Sequence, residues 1–205
     1  MDAHADGRAG GGGRGGTPAP PPAFAEVVER LRATALRPEV VLEEVPGPSR
    51  LAPWSVALSA DVLDEAGDDV AEGRFVVLHD PAGQEGWDGP WRVVVLARCT
   101  PADEDAADPM LAEVGWSWLV EALDDHGLPT RSLGGTVTRS TSHSFGQLAA
   151  RPVDGELEVR ASFSPPADDA PAGAVAALLA WAQLLGAAAG LAPLPPGVAR
   201  LPRRA

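Results

Sequence analysis

The stretch WSVALSADV, residues 54–62, reads as a β-strand with two unlike faces. Trp54, Val56, Leu58, Ala60 and Val62 fall on one side, and Ser55, Ala57, Ser59 and Asp61 on the other. Side chains alternate across a strand, so this pattern predicts a sheet packed on one face and wet or lightly covered on the other, the antiparallel habit. Glu156–Phe163 repeats the pattern with Leu157, Val159, Ala161 and Phe163 inward. Gly73–Leu78, Trp91–Cys99 and the Thr/Ser-rich Gly134–Ser144 read as further strands. Glu39–Val45 is either a short strand or an extended arm, with Pro46 and Pro48 marking a turn. With Phe75, Trp91, Cys99 and Phe163 inward, Arg74, Arg92, Arg98 and Arg160 share the opposite face. Cross-strand pairing with Glu156 and Glu158 explains these arginines more cheaply than an anion-binding strip does.

Three helices punctuate the strands. Phe24, Val27, Val28, Leu31 and Ala35 recur at helical spacing across Ala23–Leu36, closed by Pro38. Asp108 caps a helix expected from Pro109 to about His126, with Gly127 as its stop. Its polar arc is narrow and Leu111, Trp116, Trp118, Leu119, Val120 and Leu123 fill much of the rest, so something besides the sheet should cover it. Ala172–Ala189 forms the last helix, stopped by Gly190. The class is therefore α+β, a two-layer, antiparallel five-stranded sheet with helices on one face, in the order α–β(3–4)–α–β(2)–α. That order is similar to type III secretion chaperone-like folds. Residues 23–192 make one domain between a Gly/Pro-rich, disordered tail (1–22) and a Pro/Arg-rich tail (193–205).

Composition excludes several chemistries. The chain has no Lys, Asn, Ile or Tyr, the pattern of a GC-rich genome, so Schiff bases, P-loops and kinase-type lysines are out. Net charge is −13, which disfavours general nucleic-acid binding. The one cysteine, Cys99, excludes an internal disulfide and cysteine-based zinc clusters, and at the end of an apolar run it reads as a buried structural thiol. The N-terminus lacks the apolar core of a signal peptide. Residues 170–199 carry no charge, so a tail anchor over Ala174–Ala192 competes with a buried helix. Alanine content, Gln183 and the Gly190–Pro193 stop favour the buried helix.

The segments RPEVVLEEVP from Arg37, RLAPWSVALSADV from Arg50, GRFVVLHDPAGQEGWDG from Gly73, DPMLAEVGWSWL from Asp108, GGTVTRS from Gly134 and LLAWAQLLGAAAGLAPLPPGV from Leu178 carry a family resemblance. On them the chain resembles an uncharacterised actinobacterial family, number three thousand in the domain-of-unknown-function series. The resemblance implies no assigned activity, cofactor or catalytic residue.

The segment LHDPAGQEGWDGPW, residues 78–91, is the candidate site. A loop this long exceeds the usual hairpin, and long loops on rigid strands often bind. It offers His79, Asp80, Gln84, Glu85, Trp87, Asp88 and Trp91. His126 and His143 lack the strand–turn–helix context of a nucleophile elbow. The reading is a cytoplasmic, non-catalytic binding or adaptor module recognising a protein partner or small ligand, and a homodimer through Trp116, Val120 and Leu123. The alternative is a small metal-dependent or acid–base hydrolase centred on the 79–91 loop. No cofactor, resident metal or membrane span is expected.

Overall fold

In the computed structural model, which describes residues 19–101, 108–151 and 154–193, the strands form one open antiparallel sheet. The elements are α1 (Pro22–Ala33), β1 (Val40–Val45), β2 (Trp54–Leu63), β3 (Asp69–His79), β4 (Trp91–Cys99), α2 (Leu111–Asp125), β5 (Arg131–Ser142), β6 (Asp154–Ser164) and α3 (Ala170–Ala188). Strand order is β1-β2-β3-β4-β6-β5. The sheet has six strands and not five, because the arm at Val40–Val45 pairs fully with Val62–Ala57 of β2. The rest of the expected class stands, with helices on one side of an antiparallel sheet. The tails expected at 1–22 and 193–205 fall largely, and the acidic linker 103–105 wholly, outside the described residues.

Period-two alternation does what the sequence requires of it. Val56, Leu58, Ala60, Val62, Phe75, Val77, Val93, Val95, Ala97, Leu157, Val159 and Phe163 are buried on the helix side. α3 packs against both α1 and α2 and crosses β3 and β4, so it is the middle helix of its layer. That placement explains a helix apolar almost all round: its neighbours lie on three sides. By length and composition α3 could cross a membrane, yet 61% of its most apolar window is buried inside this domain. The close approach of α3 needs Gly73, since a Cβ there would lie 2.8 Å from Trp181 and 2.9 Å from Leu185. Trp181 is fully buried, and its indole N–H donates to the Leu96 carbonyl (2.8 Å), so the one polar edge of the ring is satisfied.

Element ends shift where local geometry overrides pattern. α1 stops at Ala33, not Leu36, because Thr34 turns to extended backbone and its hydroxyl donates back to the Arg30 carbonyl. β3 starts at Asp69, before Gly73, after a tight turn in which Asp64 accepts three backbone N–H groups from Ala66, Gly67 and Asp68. β5 starts at Arg131, before Gly134, through a bulge at Ser132 (φ 49°). Asp108 accepts the Met110 N–H and α2 begins at Leu111.

Candidate functional site

The 79–91 segment divides its side chains between the two faces of the sheet. His79 is the last residue of β3, in phase with Phe75 and Val77, so its ring enters the helix-side core. It stacks on Trp91 with centroids 3.9 Å apart and on Phe24 of α1 at 6.2 Å. Its Nδ1–H donates to the Pro90 carbonyl (3.2 Å), which fixes the tautomer because a carbonyl can only accept. Burial pushes the imidazole pKa below its ordinary value, outweighing Pro90 and Asp80. Trp91, buried beneath the same stack, completes an aromatic cluster with Phe24 and Trp54.

Trp87 goes to the other face. It packs on a small second cluster of Ala52, Ala57, Val76 and Leu78, together with Val45 and Val94. The loop is thus a roof over one end of the sheet. Asp80 accepts from the Ala82 N–H (3.1 Å) and from Gln84 (3.1 Å), and Gln84 donates to the Leu51 carbonyl (2.9 Å). Ser164, fully buried, donates to the Trp87 carbonyl. Arg92 donates to Ser162 (2.7 Å), Ser164 (3.4 Å) and the Ser132 carbonyl (3.1 Å), tying the roof to β6 and β5. Glu85 and Asp88 remain exposed, beside an open depression of about 480 Å³ lined by Pro81, Gly83, Gln84 and Pro90.

The seven loop residues therefore do not converge. His79 and Trp91 belong to the helix-side core, Trp87 to the far face, Asp80 and Gln84 to the loop's internal bonding. Among the described residues no three His, Cys, Asp or Glu groups gather closely enough to hold a metal ion. Cys99 is buried, and desolvation pushes its thiol pKa up to about 11, away from thiolate chemistry.

On the open face the four arginines share one side, as their parity predicts. Arg98 bonds Glu158 (2.6 Å) and Glu72 (3.0 Å), and Arg160 bonds Glu158 (2.6 Å). Arg98 Nε lies 3.4 Å from Glu156, a charge contact without hydrogen-bond geometry. The two arginines hold the Glu158 carboxyl below its ordinary pKa. Arg74 instead reaches the Pro46 carbonyl (3.0 Å).

The remaining feature lies at the β5 edge, which sequence reading passed over. Among the described residues β5 pairs only with β6, so one side of a twelve-residue strand has no backbone partner there. Most of its residues are exposed. Above it sits α2, the outer helix on that side. The Trp116 ring lies so close over Gly135 that a Cβ there would come within 2.8 Å of it. Val120, one turn on, is partly exposed, whereas Leu123 is buried in the core at 3% exposure. The signal was present in the sequence: from His126 to Val153 there is no carboxylate, in a chain of net charge −13.

Residues 20–199 match the model of a family described as a protein of unknown function, DUF3000. No curated protein and no solved structure matches the chain significantly.

Proposed function

The chain belongs to the DUF3000 family, and from that premise we propose that it is a non-catalytic binding or adaptor module whose docking element is the free edge of β5. One observation carries the reading: a long strand, bonded on one side only among the described residues, lies exposed with Trp116 of α2 over its Gly135. Natural sheets blunt such edges with proline, short strands or charge, because an unpaired row of N–H and C=O groups recruits another strand. β5 has no proline and is as long as any strand in the sheet, and its charges, Arg131 and Arg139, and its bulge at Ser132 leave the middle, residues 134–138, uncharged and regular. Main-chain pairing along such an edge supplies affinity, and pockets beside it supply selectivity. Trp116 supports this use, since a partly buried tryptophan beside an open strand edge is a typical interface anchor. A lone buried thiol suits a reducing cytoplasm.

The test is a tagged pull-down from the native host with three baits. Thr138 and Thr141 are three residues apart, so in a regular strand one amide faces β6 and the other faces outward. Proline at the outward position, identified by its fast amide exchange, blocks the edge without removing a ladder bond. The expected result is a specific partner that is kept by the loop variant His79→Ala/Trp87→Ala, provided it folds, and lost by the edge variant. Loss only in a folded loop variant would move the site to residues 79–91. Identical eluates from all baits would overturn the edge reading.

A further inference from the structure

The edge also carries information about what would pair with it. Four of the other strands carry carboxylates, Glu43 and Glu44 on β1, Asp61 on β2, Glu72 on β3, Glu156 and Glu158 on β6, and only β4, in the middle of the sheet, also lacks them. β5 has none, and it carries Arg131 and Arg139. The glutamates paired directly opposite it on β6, Glu158 facing Thr138 and Glu156 facing Ser140, are already engaged, Glu158 with Arg98 and Arg160, and Glu156 with Arg98. Arg131 is exposed at one end of the strand, paired opposite Ser164 and so on the open face. Arg139 is exposed near the other end and on the helix side, where it donates to the Asp108 carbonyl and meets no carboxylate among the described residues. The two charges thus bracket the edge, one on each face.

Between them the edge is permissive. Gly134 and Gly135 present no side chains, and Thr136, Thr138 and Ser140 line the open face. On the helix side a seventh strand would run beneath the outer flank of α2, where Trp116 and Val120 lie one turn apart. Side chains placed there alternate with those facing the hydroxyl row, because strand residues alternate between faces.

We infer that the occupant of the β5 edge is an extended acidic segment of a partner protein, apolar at alternate positions. Its backbone continues the antiparallel ladder, its apolar residues lie under Trp116 on the helix side, its open-face carboxylates meet Arg131, and one acidic residue at the end of the apolar row meets Arg139. This rests on the edge reading above and adds the chemistry of the partner. A second copy of the chain is disfavoured by the same charges, since two carboxylate-free edges bring arginines together without a counter-charge.

The experiment uses the full chain and three fluorescein-labelled peptides of about ten residues, the length of a long strand. They alternate valine with glutamate, with threonine or with arginine, and each begins with two of its polar residues so that one falls on the helix side beside Arg139. Fluorescence anisotropy gives affinity at low and high salt, and amide exchange reports whether β5 is the site. The expected result is protection of outward β5 amides and Val/Glu binding roughly fivefold to tenfold tighter than Val/Thr, the scale of two exposed ion pairs. High salt should narrow the gap, and Arg131→Glu with Arg139→Glu should make Val/Arg the preferred peptide. Equal binding of all three peptides with β5 protected would overturn the acidic assignment and leave the edge reading standing. Concentration-dependent protection of β5 without peptide would assign the edge to a second copy instead. Binding of any peptide with no protection of β5 would overturn both.

Discussion

The two faces of this sheet are built from the same strands but by different chemistry. The helix side is dry, with Phe75, Phe163 and Trp181 almost wholly buried and the Trp181 N–H satisfied within the core. The open side is held by an ion network around Glu158 and, at one end, by a loop that lays Trp87 across a few small aliphatic residues. Alternation along a strand fixes which residues go to each face, but not how strongly each face is held. Apolar burial scales with the area removed from water, whereas solvated ion pairs are screened and entropically costly. The dry face should therefore carry most of the stability, and the open face should respond to salt and pH.

The sharpest way to break that contrast is a matched pair of truncations. Phe163→Ala should cost about 3–5 kcal/mol in urea denaturation, as for other large-to-small core changes. Trp87→Ala, which removes only the roof over the smaller cluster, should cost about 1–3 kcal/mol, nearer to the lower value. Equal losses would mean that the two faces contribute alike. A smaller effect belongs to Glu158→Gln, expected at roughly 1–2 kcal/mol because its bonds to Arg98 and Arg160 are charge-assisted but near solvent. That loss should shrink when the same denaturation is run in high salt.

Proton titration separates the faces by pH. His79 is held neutral by burial, with its folded pKa below the ordinary 6.5. The folded state then binds fewer protons than the unfolded chain, so stability is full above pH about 6.5 and declines as pH falls below it. Glu158 has a folded pKa below its ordinary 4.5, so its contribution is intact above about 4.5 and is lost as pH falls further, through the folded pKa. Stability measured against pH should show two separate declines, the first abolished by His79→Phe and the second weakened by Glu158→Gln. A single decline near 4.5 in both the parent and His79→Phe would remove His79 from the account. The smallest effect expected is chemical: the native Cys99 thiol, buried and pushed up to about 11, should label slowly with a thiol reagent at neutral pH and rapidly in denaturant.

Much of this was legible in the residues themselves. Strict alternation in 54–62 and 156–163 fixed both strands, and the parity of Arg74, Arg92, Arg98 and Arg160 placed all four on the open face. β1 was ambiguous because Val40-Val41-Leu42-Glu43-Glu44-Val45 does not alternate, as befits an edge strand with less to bury. The start of β5 was hidden by a bulge at Ser132, whose positive φ no composition rule announces. The candidate site fared worse. His79 reads as the first residue of a loop from its neighbours Asp80 and Pro81, yet it continues the phase of Phe75 and Val77, and that phase carries it into the core. The β5 edge went unread because pairing on one side only is a property of the whole sheet order, which local patterns do not contain.

The position of α3 has a consequence for how the chain is made. It is the last element among the described residues, yet it lies in the middle of the helix layer and covers β3 and β4, which emerge from the ribosome about a hundred residues earlier. Synthesis proceeds at ~5–20 residues per second, so those strands wait several seconds with their apolar faces open. The nascent domain cannot close from its N-terminal end. Until Trp181 and Leu185 arrive, β3 and β4 lack the cover of α3, and a message cut short before them yields a sheet whose middle is bare on the helix side.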